Sequence, residues 1–311
     1  MNSLKNFMPN KNKKSEKRLV THDGSFHTDD IFAAAALSAY LSKKGEAFEI
    51  IRTRDADVIR AGDYVFDVGE IYDEGNNRFD HHQSGGAGRR ENEGGTEYAS
   101  FGLVWKKFGA EICGSMRVAD LIDRRLAAPI DAFDNGFDLV TNKYKEVSPY
   151  FIQHVFFAME PTWREDSDIN EAFAKSVALA GEILSREIIQ VADALLAEDS
   201  VLAVYKNTAD KRILVLDRNY PFQYVLNNFP EPLFAVYPRK DGWWGVKAVR
   251  KDPKTFNNRK NFPVAWAGLR DAELGRIAGV PDAVFCHRGL YLAVAKTKEG
   301  AVKLAQIAVE S

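Results

Sequence analysis

The stretch FDHHQ places an aspartate and two adjacent histidines, Asp80, His81 and His82, directly after an apolar residue. Histidine is scarce in this chain, with six among 311 residues, and four of the six fall between His22 and His82. Imidazole and carboxylate together suit divalent ions of the manganese, zinc or iron type. Cysteine is absent from the set, which argues against a structural zinc site. These residues therefore predict a metal site, provided that the fold brings them to one place.

Short apolar runs predict the strands that would position these groups. RLVTH (18–22) is typical of a buried strand, and FEIIRTR (48–54) and DYVFDVG (63–69) are typical of two more. A helix lies between the first two strands, with Thr28 expected at its N-cap and Gly45 at its end. The order strand, helix, strand, strand predicts an α/β fold with a largely parallel sheet flanked by helices.

In open parallel sheets, ligands bind beyond the carboxyl ends of the strands. The ionisable groups near predicted strand ends or helix ends are His22, His27, Asp29, Asp67, Asp80, His81, His82 and Asp134. This set exceeds what one ion needs and predicts two ions about 3.5–4 Å apart, bridged by one carboxylate. Asp67 is the natural bridge, because it is the lone acid at the tip of the third strand. Singly, each residue has a plainer interpretation, such as a helix-start acid for Asp29 and a turn residue for Asp134.

The rest of the chain predicts more helices and a second domain. TEYASFGLVWKKFG and MRVADLIDRRLAAPIDAFDNG are typical of helices, and residues 166–198 are expected to form a long linking helix. Its apolar positions recur at spacings of three and four: Phe173, Val177, Ala180, Leu184, Ile188 and Val191. The runs VLAVY, ILVLD, LFAVYPR, WWGVKAVR and AVFCHR, followed by EGAVKLAQIAVE, predict a smaller α/β domain at 199–311. The first domain is expected at 18–165, preceded by a disordered basic tail at 1–17.

Composition narrows the class of protein. Hydrophobic residues make up 45% and charged residues 28% of the chain, as in ordinary globular proteins. The net charge of -2 means that any surface for nucleic acid must be local. The two cysteines, Cys113 and Cys286, form no CxxC pair, which favours a reducing, cytoplasmic setting. No apolar run approaches the roughly 20 residues of a membrane span, and no secretory signal is evident.

Four segments of the sequence resemble a known superfamily. FDHHQ resembles the motif that defines the DHH phosphoesterase superfamily, and THDGSFHTDD, VFDVG, FDHHQ and DAFDNG resemble its four metal motifs in order. Within that superfamily, His22–Asp30 is similar to the pattern H-N-G-x-F-H-x-D-E of the melanocyte-proliferating-gene-one family of metal-dependent hydrolases. NRKNFPVAWAGLRDAEL, LFAVYPRKDGWWGVKAV and AVFCHRGLYLAVAKTKEGA resemble that family's C-terminal domain. The resemblance therefore spans roughly residues 18–310.

The resemblance implies a role for each residue of the site. The ligands that it implies are His22, His27 and Asp67 for one ion, and Asp29, Asp67, His81 and Asp134 for the other. His82 would contact a phosphate oxygen or orient a ligand, and Asp80 would fix an imidazole from behind. Together with Asp67, these two form the expected catalytic set. Manganese is the favoured ion, with magnesium, zinc and iron as alternatives.

The resemblance also implies exonuclease action on RNA or short oligonucleotides, from the 3′ end, by a water that two ions activate. Cationic side chains of the second domain would bind substrate and neutralise charge at phosphorus. The candidates are Arg259, Lys260, Arg270, His287, Arg288 and Lys296, whose plainer interpretation is a solvated surface. Trp243, Trp244 and Trp266 could stack on bases, but core or interface packing is favoured. The glycine-rich loop 84–95, with Arg89 and Arg90, is interpreted as either a flap over substrate or a disordered connector.

Two other functions stay open at this point. One is hydrolysis of a small phosphorylated molecule, such as a cyclic dinucleotide or pyrophosphate, which a deep closed pocket would favour. An open groove lined by arginine and aromatic side chains would favour a nucleic-acid strand instead. The other function is a non-catalytic, metal-binding, RNA-associated module. The oligomeric state, a homodimer included, is also open.

Overall fold

The computed structural model describes residues 16–91 and 95–311. The predicted tail at 1–17 lies outside the described residues except for its last two positions, and Lys17 already belongs to the first strand. The chain divides into two compact units, the first ending at Val191 and the second running from Ala192 to Ser311.

The first unit contains a sheet in the order β2-β1-β3-β5-β4. Its strands are β1 (Lys17–Thr21), β2 (Phe48–Arg52), β3 (Tyr64–Phe66), β4 (Tyr72–Asp73) and β5 (Arg78–Phe79). β1 runs parallel to β2 and β3, and β3 runs parallel to β5, whereas β4 and β5 are antiparallel. This arrangement confirms the expected α/β fold with a largely parallel sheet. β5 was not predicted, because two residues are too few to carry a strand pattern.

Helices cover this sheet. They are α1 (Thr28–Lys43), α2 (Ala56–Arg60), α3 (Ser100–Cys113), α4 (Met116–Ile122), α5 (Ala128–Asp134), α6 (Ile152–Phe157) and α7 (Ile169–Asn207). α1 packs on α3 through Phe32 and Phe101, whose ring centroids lie 5.2 Å apart. The N-cap of α1 is His27 and not Thr28 as predicted, because the Asp30 carboxylate accepts the His27 backbone N–H and fixes the start of the helix there.

The predicted single helix at MRVADLIDRRLAAPIDAFDNG is interrupted. A π-helical turn, Asp123–Ala127, joins α4 to α5. Pro129 has no N–H to offer the carbonyl four residues before it, which explains the wider turn at this point. Asp134 is consequently the last residue of α5 and not a residue of the turn after it.

The second unit contains a sheet in the order β6-β7-β8-β10-β9. Its strands are β6 (Ile213–Val215), β7 (Phe234–Pro238), β8 (Trp244–Ala248), β9 (Ala283–Cys286) and β10 (Leu292–Ala295). Its helices after α7 are α8 (Gln223–Leu226), a 3-10 turn (Val264–Trp266), α9 (Asp271–Ala278) and α10 (Lys298–Glu310). β6 and β7 are parallel, and the other neighbouring pairs are antiparallel. The smaller α/β unit expected in the second half is therefore present.

One segment of the second half was predicted wrongly. VLAVY was expected to be β-rich, but it forms the last turns of α7, which ends at Asn207 and not near residue 198. A short apolar run fits a buried strand and a buried helix turn equally well, and Val201 is fully buried on the helix. Trp266 packs in the core of this unit beside Phe262, in agreement with the favoured interpretation for that tryptophan. Among the described residues, no helix combines the length and apolar character that a membrane crossing needs.

Candidate metal centre

Three parallel strands end side by side, and a predicted ligand follows two of them directly. His22 follows β1, Asp67 follows β3, and Asp80 and His81 follow β5. Because β3 lies between β1 and β5, these side chains emerge at one edge of the sheet. His22 Nε2 lies 3.2 Å from Asp67 Oδ2, and His81 Nε2 lies 3.3 Å from Asp67 Oδ1. The Asp67 carboxylate therefore lies between two imidazoles.

Helices α1 and α5 bring the remaining predicted ligands to the same edge. His27 caps α1, Asp29 lies in its first turn, and Asp134 ends α5. Asp134 Oδ2 lies 3.2 Å from His81 Nε2, and its Oδ1 lies 3.9 Å from His27 Nδ1. Residues from four separate segments of the chain thus form one cluster.

Within the cluster, three sets of potential ligand atoms each lie within 4.8 Å of one another. They are His22, His27 and Asp67; Asp29, His81 and Asp134; and Asp67, Asp80, His81 and His82. The first set equals the one expected for one ion. The second is the set expected for the other ion without Asp67, which joins His81 in the third set. The structure thus brings all six predicted ligands together, while their roles stay a prediction.

The N-terminus of α3 holds Asp29 in place. Its two carboxylate oxygens accept the backbone N–H groups of Ser100 and Phe101 at 2.9 and 2.7 Å. The Ser100 hydroxyl lies 3.3 Å from Asp67 Oδ1. Unpaired N–H groups and the helix dipole favour a carboxylate at this position. Sequence reasoning missed Ser100, because it was placed inside a predicted helix that began several residues earlier.

Asp30 is a second residue that sequence reasoning did not assign to the site. Its side chain is fully buried, with Oδ2 3.2 Å from His22 Nε2. The sequence signal was the pair of adjacent acids in HTDD. An acid in the first turn of a helix is favoured by the helix dipole, but this plainer interpretation does not account for the burial of Asp30.

The electrostatics of the cluster reflect its excess of buried carboxylates. Burial opposes protonation of His22, but the carboxylates of Asp30 and Asp67 outweigh burial and raise the pKa of His22 to about 10. Burial likewise opposes protonation of His81, yet Asp134 and Asp67 raise its pKa to about 11. For Asp67, burial disfavours ionisation, but the two histidines prevail and lower its pKa. The cluster as a whole favours bound positive charge.

Several buried atoms of the cluster fit a cation better than a hydrogen-bond partner. Within the part of the chain that the structure describes, Nε2 of His22, Nε2 of His81 and Oδ2 of Asp30 are buried without a hydrogen bond. Each Nε2 is close to carboxylate oxygens but lacks the alignment of a hydrogen bond. Unsatisfied buried polar atoms are costly and call for a partner. Imidazole nitrogen and carboxylate oxygen without thiolate fit a divalent manganese, iron or zinc ion.

The backbone at Asp67 is strained. Its φ of +54° lies in the left-handed region, which residues other than glycine rarely adopt. Gly69, two residues later, has a φ of +98°, and a Cβ there would come within 3.2 Å of Ile59 Cγ2. Strained backbone of this kind concentrates at functional sites, where it aims a side chain that regular geometry would point elsewhere.

Asp80 holds the loop that carries the two histidines. It is almost fully buried, its Oδ1 lies 2.7 Å from His82 Nδ1 and accepts the His81 N–H, and its Oδ2 accepts the Glu70 N–H. The His82 side chain is 56% exposed. Asp80 therefore fixes the orientation of an imidazole that faces solvent beside the cluster, and its expected role and that of His82 stay predictions.

Arg90 supports the cluster from behind. It is buried, with Nη2 2.7 Å from Asp131 Oδ2 and 2.8 Å from Asp123 Oδ1. Asp131 also accepts the Gly102 N–H at 3.0 Å, and it lies one helical turn before Asp134. The interpretation of loop 84–95 as a flap or disordered connector is therefore wrong for Arg90, which is anchored; residues 92–94 lie outside the description.

The six predicted substrate-binding residues lie in the second unit and differ in their surroundings. Arg259 donates to the backbone carbonyls of Asn227, Phe229 and Pro232, and Lys260 donates to that of Val309. The side chains of Arg259 and Lys260 are therefore already hydrogen-bonded to backbone carbonyls of the second unit.

The other four are partly or fully exposed. Arg270 lies over the Phe285 ring, and His287 accepts the Gly289 N–H through Nδ1. Arg288 and Lys296 are exposed. The substrate-binding role of all six stays a prediction, and it is best supported for the exposed ones.

The first unit is an α/β unit, and a buried histidine–aspartate cluster lies beyond the ends of its strands. These features are typical of a metal-binding protein. Residues 18–309 match the model of the MYG1 exonuclease family, described as Uncharacterised protein family (UPF0160). The chain therefore belongs to this family, as the sequence resemblance indicated.

Curated relatives of similar length support this assignment. The MYG1 exonuclease of Bos taurus is 28% identical over 346 residues, covering 98% of this chain and 88% of the relative. The MYG1 exonuclease of Homo sapiens is 28% identical over 328 residues, covering 93% and 85%. The MYG1 protein of Saccharomyces cerevisiae is 29% identical over 346 residues, covering 99% and 100%.

Proposed function

We propose that this protein is a divalent-metal-dependent phosphodiester hydrolase that shortens RNA or short oligonucleotides from the 3′ end. The observation that carries the proposal is the convergence of five other imidazole and carboxylate side chains around the strained Asp67. The exonuclease names of the bovine and human relatives support the same reaction class.

The side chains divide the work as follows. Two divalent ions, manganese by preference, would supply an activated water and neutralise charge on the phosphate. Asp67, with His22 on one side and His81 on the other, would hold the two ions together. Asp29 would keep a fixed position, because two backbone N–H groups orient it. These residues would hold the ions, whose positive charge would attract the anionic phosphodiester.

His82 would act on the substrate directly. Its Nδ1 is engaged by Asp80, so its other ring nitrogen, Nε2, would donate a hydrogen bond to a phosphate oxygen or a proton to the leaving oxygen. The exposure of the ring leaves room for such a contact. Asp80 would fix the ring orientation that this transfer requires.

The decisive experiment is an end-labelled oligoribonucleotide incubated with the full chain and Mn²⁺. Wild type should shorten it, Asp67→Ala and His81→Ala should not, and Asp193→Ala, at an exposed acid of α7, should behave as wild type. Labels at the 5′ and 3′ ends report the direction of shortening. Equal products from wild type and Asp67→Ala would refute the catalytic assignment.

The size of the cavity beside the cluster favours a second substrate class, small phosphorylated molecules. The cavity beside the cluster has a volume of about 200 Å³, which is enough for a small phosphorylated molecule bound together with the metal ions or for the terminal group of a strand. Turnover of pyrophosphate, a cyclic dinucleotide, a linear dinucleotide and a longer RNA, compared by kcat/KM, separates the two classes.

A further inference from the structure

A cavity of about 200 Å³ opens beside the metal-ligand cluster, within the first unit. One side is formed by the cluster residues His27, Asp29 and Asp134, and the other by Phe133, Gln153 and Phe157. Its volume is below the roughly 300–1,000 Å³ of pockets that enclose a whole drug-sized ligand. The cavity is thus suited to one flat group that is joined to something larger outside.

Two phenylalanine rings form the apolar side of the cavity. Phe133 and Phe157 are 37% and 42% exposed, although both are large apolar side chains. Their centroids lie 6.2 Å apart with planes tilted by 51°, so the rings do not stack on each other. Phe133 directly precedes Asp134 in α5. A ring that packs on Phe133 would therefore lie next to Asp134, one of the candidate metal ligands.

Gln153 and Thr28 supply the neutral polar side chains of the cavity, and Gln153 lies on the same side as the two rings. Its residue exposure is 4%, yet none of the described residues forms a hydrogen bond with its side-chain amide. Neither atom of this amide is among the buried polar atoms that lack a hydrogen bond, so the amide reaches the open cavity and is available to pair with a ligand there. An amide offers a donor and an acceptor side by side, the pattern that matches the edge of a nucleobase.

The carboxylates lining the cavity argue against a free anion there. Asp29 and Asp134 would repel a phosphate that entered the cavity without its cations. A planar, uncharged ring avoids this repulsion and gains contact with aromatic faces. Stacking on aromatic side chains together with hydrogen bonds at the ring edge is the usual means by which proteins hold unpaired bases.

We propose that this cavity is a nucleobase subsite, in which the base packs on Phe133 and Phe157 and pairs with the Gln153 amide. The phosphate attached to that nucleotide then lies at the cluster beside Asp134. This inference rests on the proposed phosphodiesterase function and adds that the base next to the scissile phosphate is recognised. Recognition through one amide and two apolar rings distinguishes a nucleotide that carries a base from an abasic residue. It does not distinguish one base from another.

The test compares dinucleotides that carry a base at both positions with dinucleotides that carry an abasic residue at one or the other position. With Mn²⁺ and the full chain, removal of the base at the recognised position should lower kcat/KM roughly fivefold to a hundredfold, as expected for the loss of one stacked base. Equal kcat/KM for all of these dinucleotides overturns the subsite and leaves the hydrolase function intact. A wild type that cleaves none of them refutes the hydrolase function itself.

Variants assign the effect to the cavity. Gln153→Leu and Phe133→Leu should lower kcat/KM for the complete dinucleotide and leave the slower rate on the abasic one unchanged, so that the preference disappears. The retained abasic rate shows that these variants are folded and active. Phe137→Leu is the matched control, because Phe137 is 50% exposed in the next stretch of chain and does not line the cavity. A preference that persists in both cavity variants contradicts the proposal.

A binding measurement gives the same comparison without turnover. In calorimetry with Mn²⁺, adenosine 5′-monophosphate should bind wild type about tenfold more tightly than ribose 5-phosphate. The ratio should approach one in Gln153→Leu. A ratio unchanged by this substitution would show that the base is held elsewhere.

Discussion

The guanidinium of Arg90 and the carboxylate of Asp131 form a buried ion pair directly behind the candidate metal centre, with Nη2 2.7 Å from Oδ2. Burial raises the pKa of Asp131 to about 7 even though Arg90 opposes that shift. Asp131 therefore depends on this partner to remain charged. Because Asp134 follows one turn later in α5, the pair also fixes the position of a predicted metal ligand.

We expect Arg90→Met to destabilise the protein by about 3–5 kcal/mol, because it leaves the buried Asp131 carboxylate without its countercharge. Urea unfolding at pH 7.5 measures the change. Arg89→Met is the matched control, because Arg89 pairs with Glu97 on the surface, where such a pair contributes about 1 kcal/mol or less. Similar losses for the two variants would contradict a special role for the buried pair.

Gly102 permits the close approach of α3 to Asp131. A Cβ at this position would lie 1.8 Å from Asp131 Oδ2, a distance that the buried carboxylate cannot relieve without moving away from Arg90. Gly102→Ala should therefore destabilise the protein by about 3 kcal/mol or more, at the upper end for an overpacked core. Unfolding in urea again gives the free energy.

Gly181→Ala provides the opposite outcome in the same assay. This glycine lies within helix α7, and a Cβ there meets nothing within 4 Å. Replacement should leave the stability unchanged or raise it by up to about 1 kcal/mol, the difference in helix propensity. If both alanine variants behaved alike, the packing argument at Gly102 would be wrong.

We expect Asp30 to increase the affinity for metal through its contact with His22. Asp30→Asn keeps the shape of the side chain and its contact with the His27 backbone but removes the charge 3.2 Å from His22 Nε2. We expect affinity for Mn²⁺ to fall about 10- to 100-fold, as for other residues that orient a ligand, with little loss of fold. Calorimetric titration of the metal-free protein measures it.

Asp23→Asn is the control for that titration. Asp23 neighbours His22 on the other side, but its side chain is exposed and pairs with Arg54, while His22 Nδ1 contacts only its backbone carbonyl. Its affinity for Mn²⁺ should match wild type. If Asp30→Asn also bound Mn²⁺ with wild-type affinity, Asp30 would only cap helix α1 and would have no role in metal binding.

Most of the cluster could be predicted from the sequence, because the apolar runs that mark the strands are followed directly by residues that can bind a metal. Apolar runs marked β1 and β3, and parallel strands leave their following residues at one edge, so His22 and Asp67 were bound to meet. The motif at Asp80, His81 and His82 supplied the third segment without recognition of the strand before it. Local pattern was sufficient wherever a ligand directly follows a strand.

The residues that sequence reasoning missed are defined by tertiary contacts. Ser100 and Gly102 act through backbone N–H groups, which every residue type except proline offers, so this role leaves little trace in the sequence. Arg90 lies in a glycine-rich loop, where an arginine is normally solvated, and its two partners are 33 and 41 positions away. The end of α7 was misplaced because a short apolar run is compatible with a strand or a helix until its tertiary contacts are known.

Metal binding should stabilise the first unit in a way that depends on Asp67. A ligand that binds only the folded state stabilises it by about 2.7 kcal/mol at 100 times its Kd, and neutralisation of the buried carboxylates is the physical source here. We expect EDTA to lower the unfolding temperature by several degrees and Mn²⁺ to restore it, measured by differential scanning calorimetry. Asp67→Ala should unfold at one temperature with or without Mn²⁺, because it removes the carboxylate that two of the three sets of potential ligand atoms share. Asp193→Ala should retain the full shift, and a shift that survives in Asp67→Ala would place the bound ions away from this cluster.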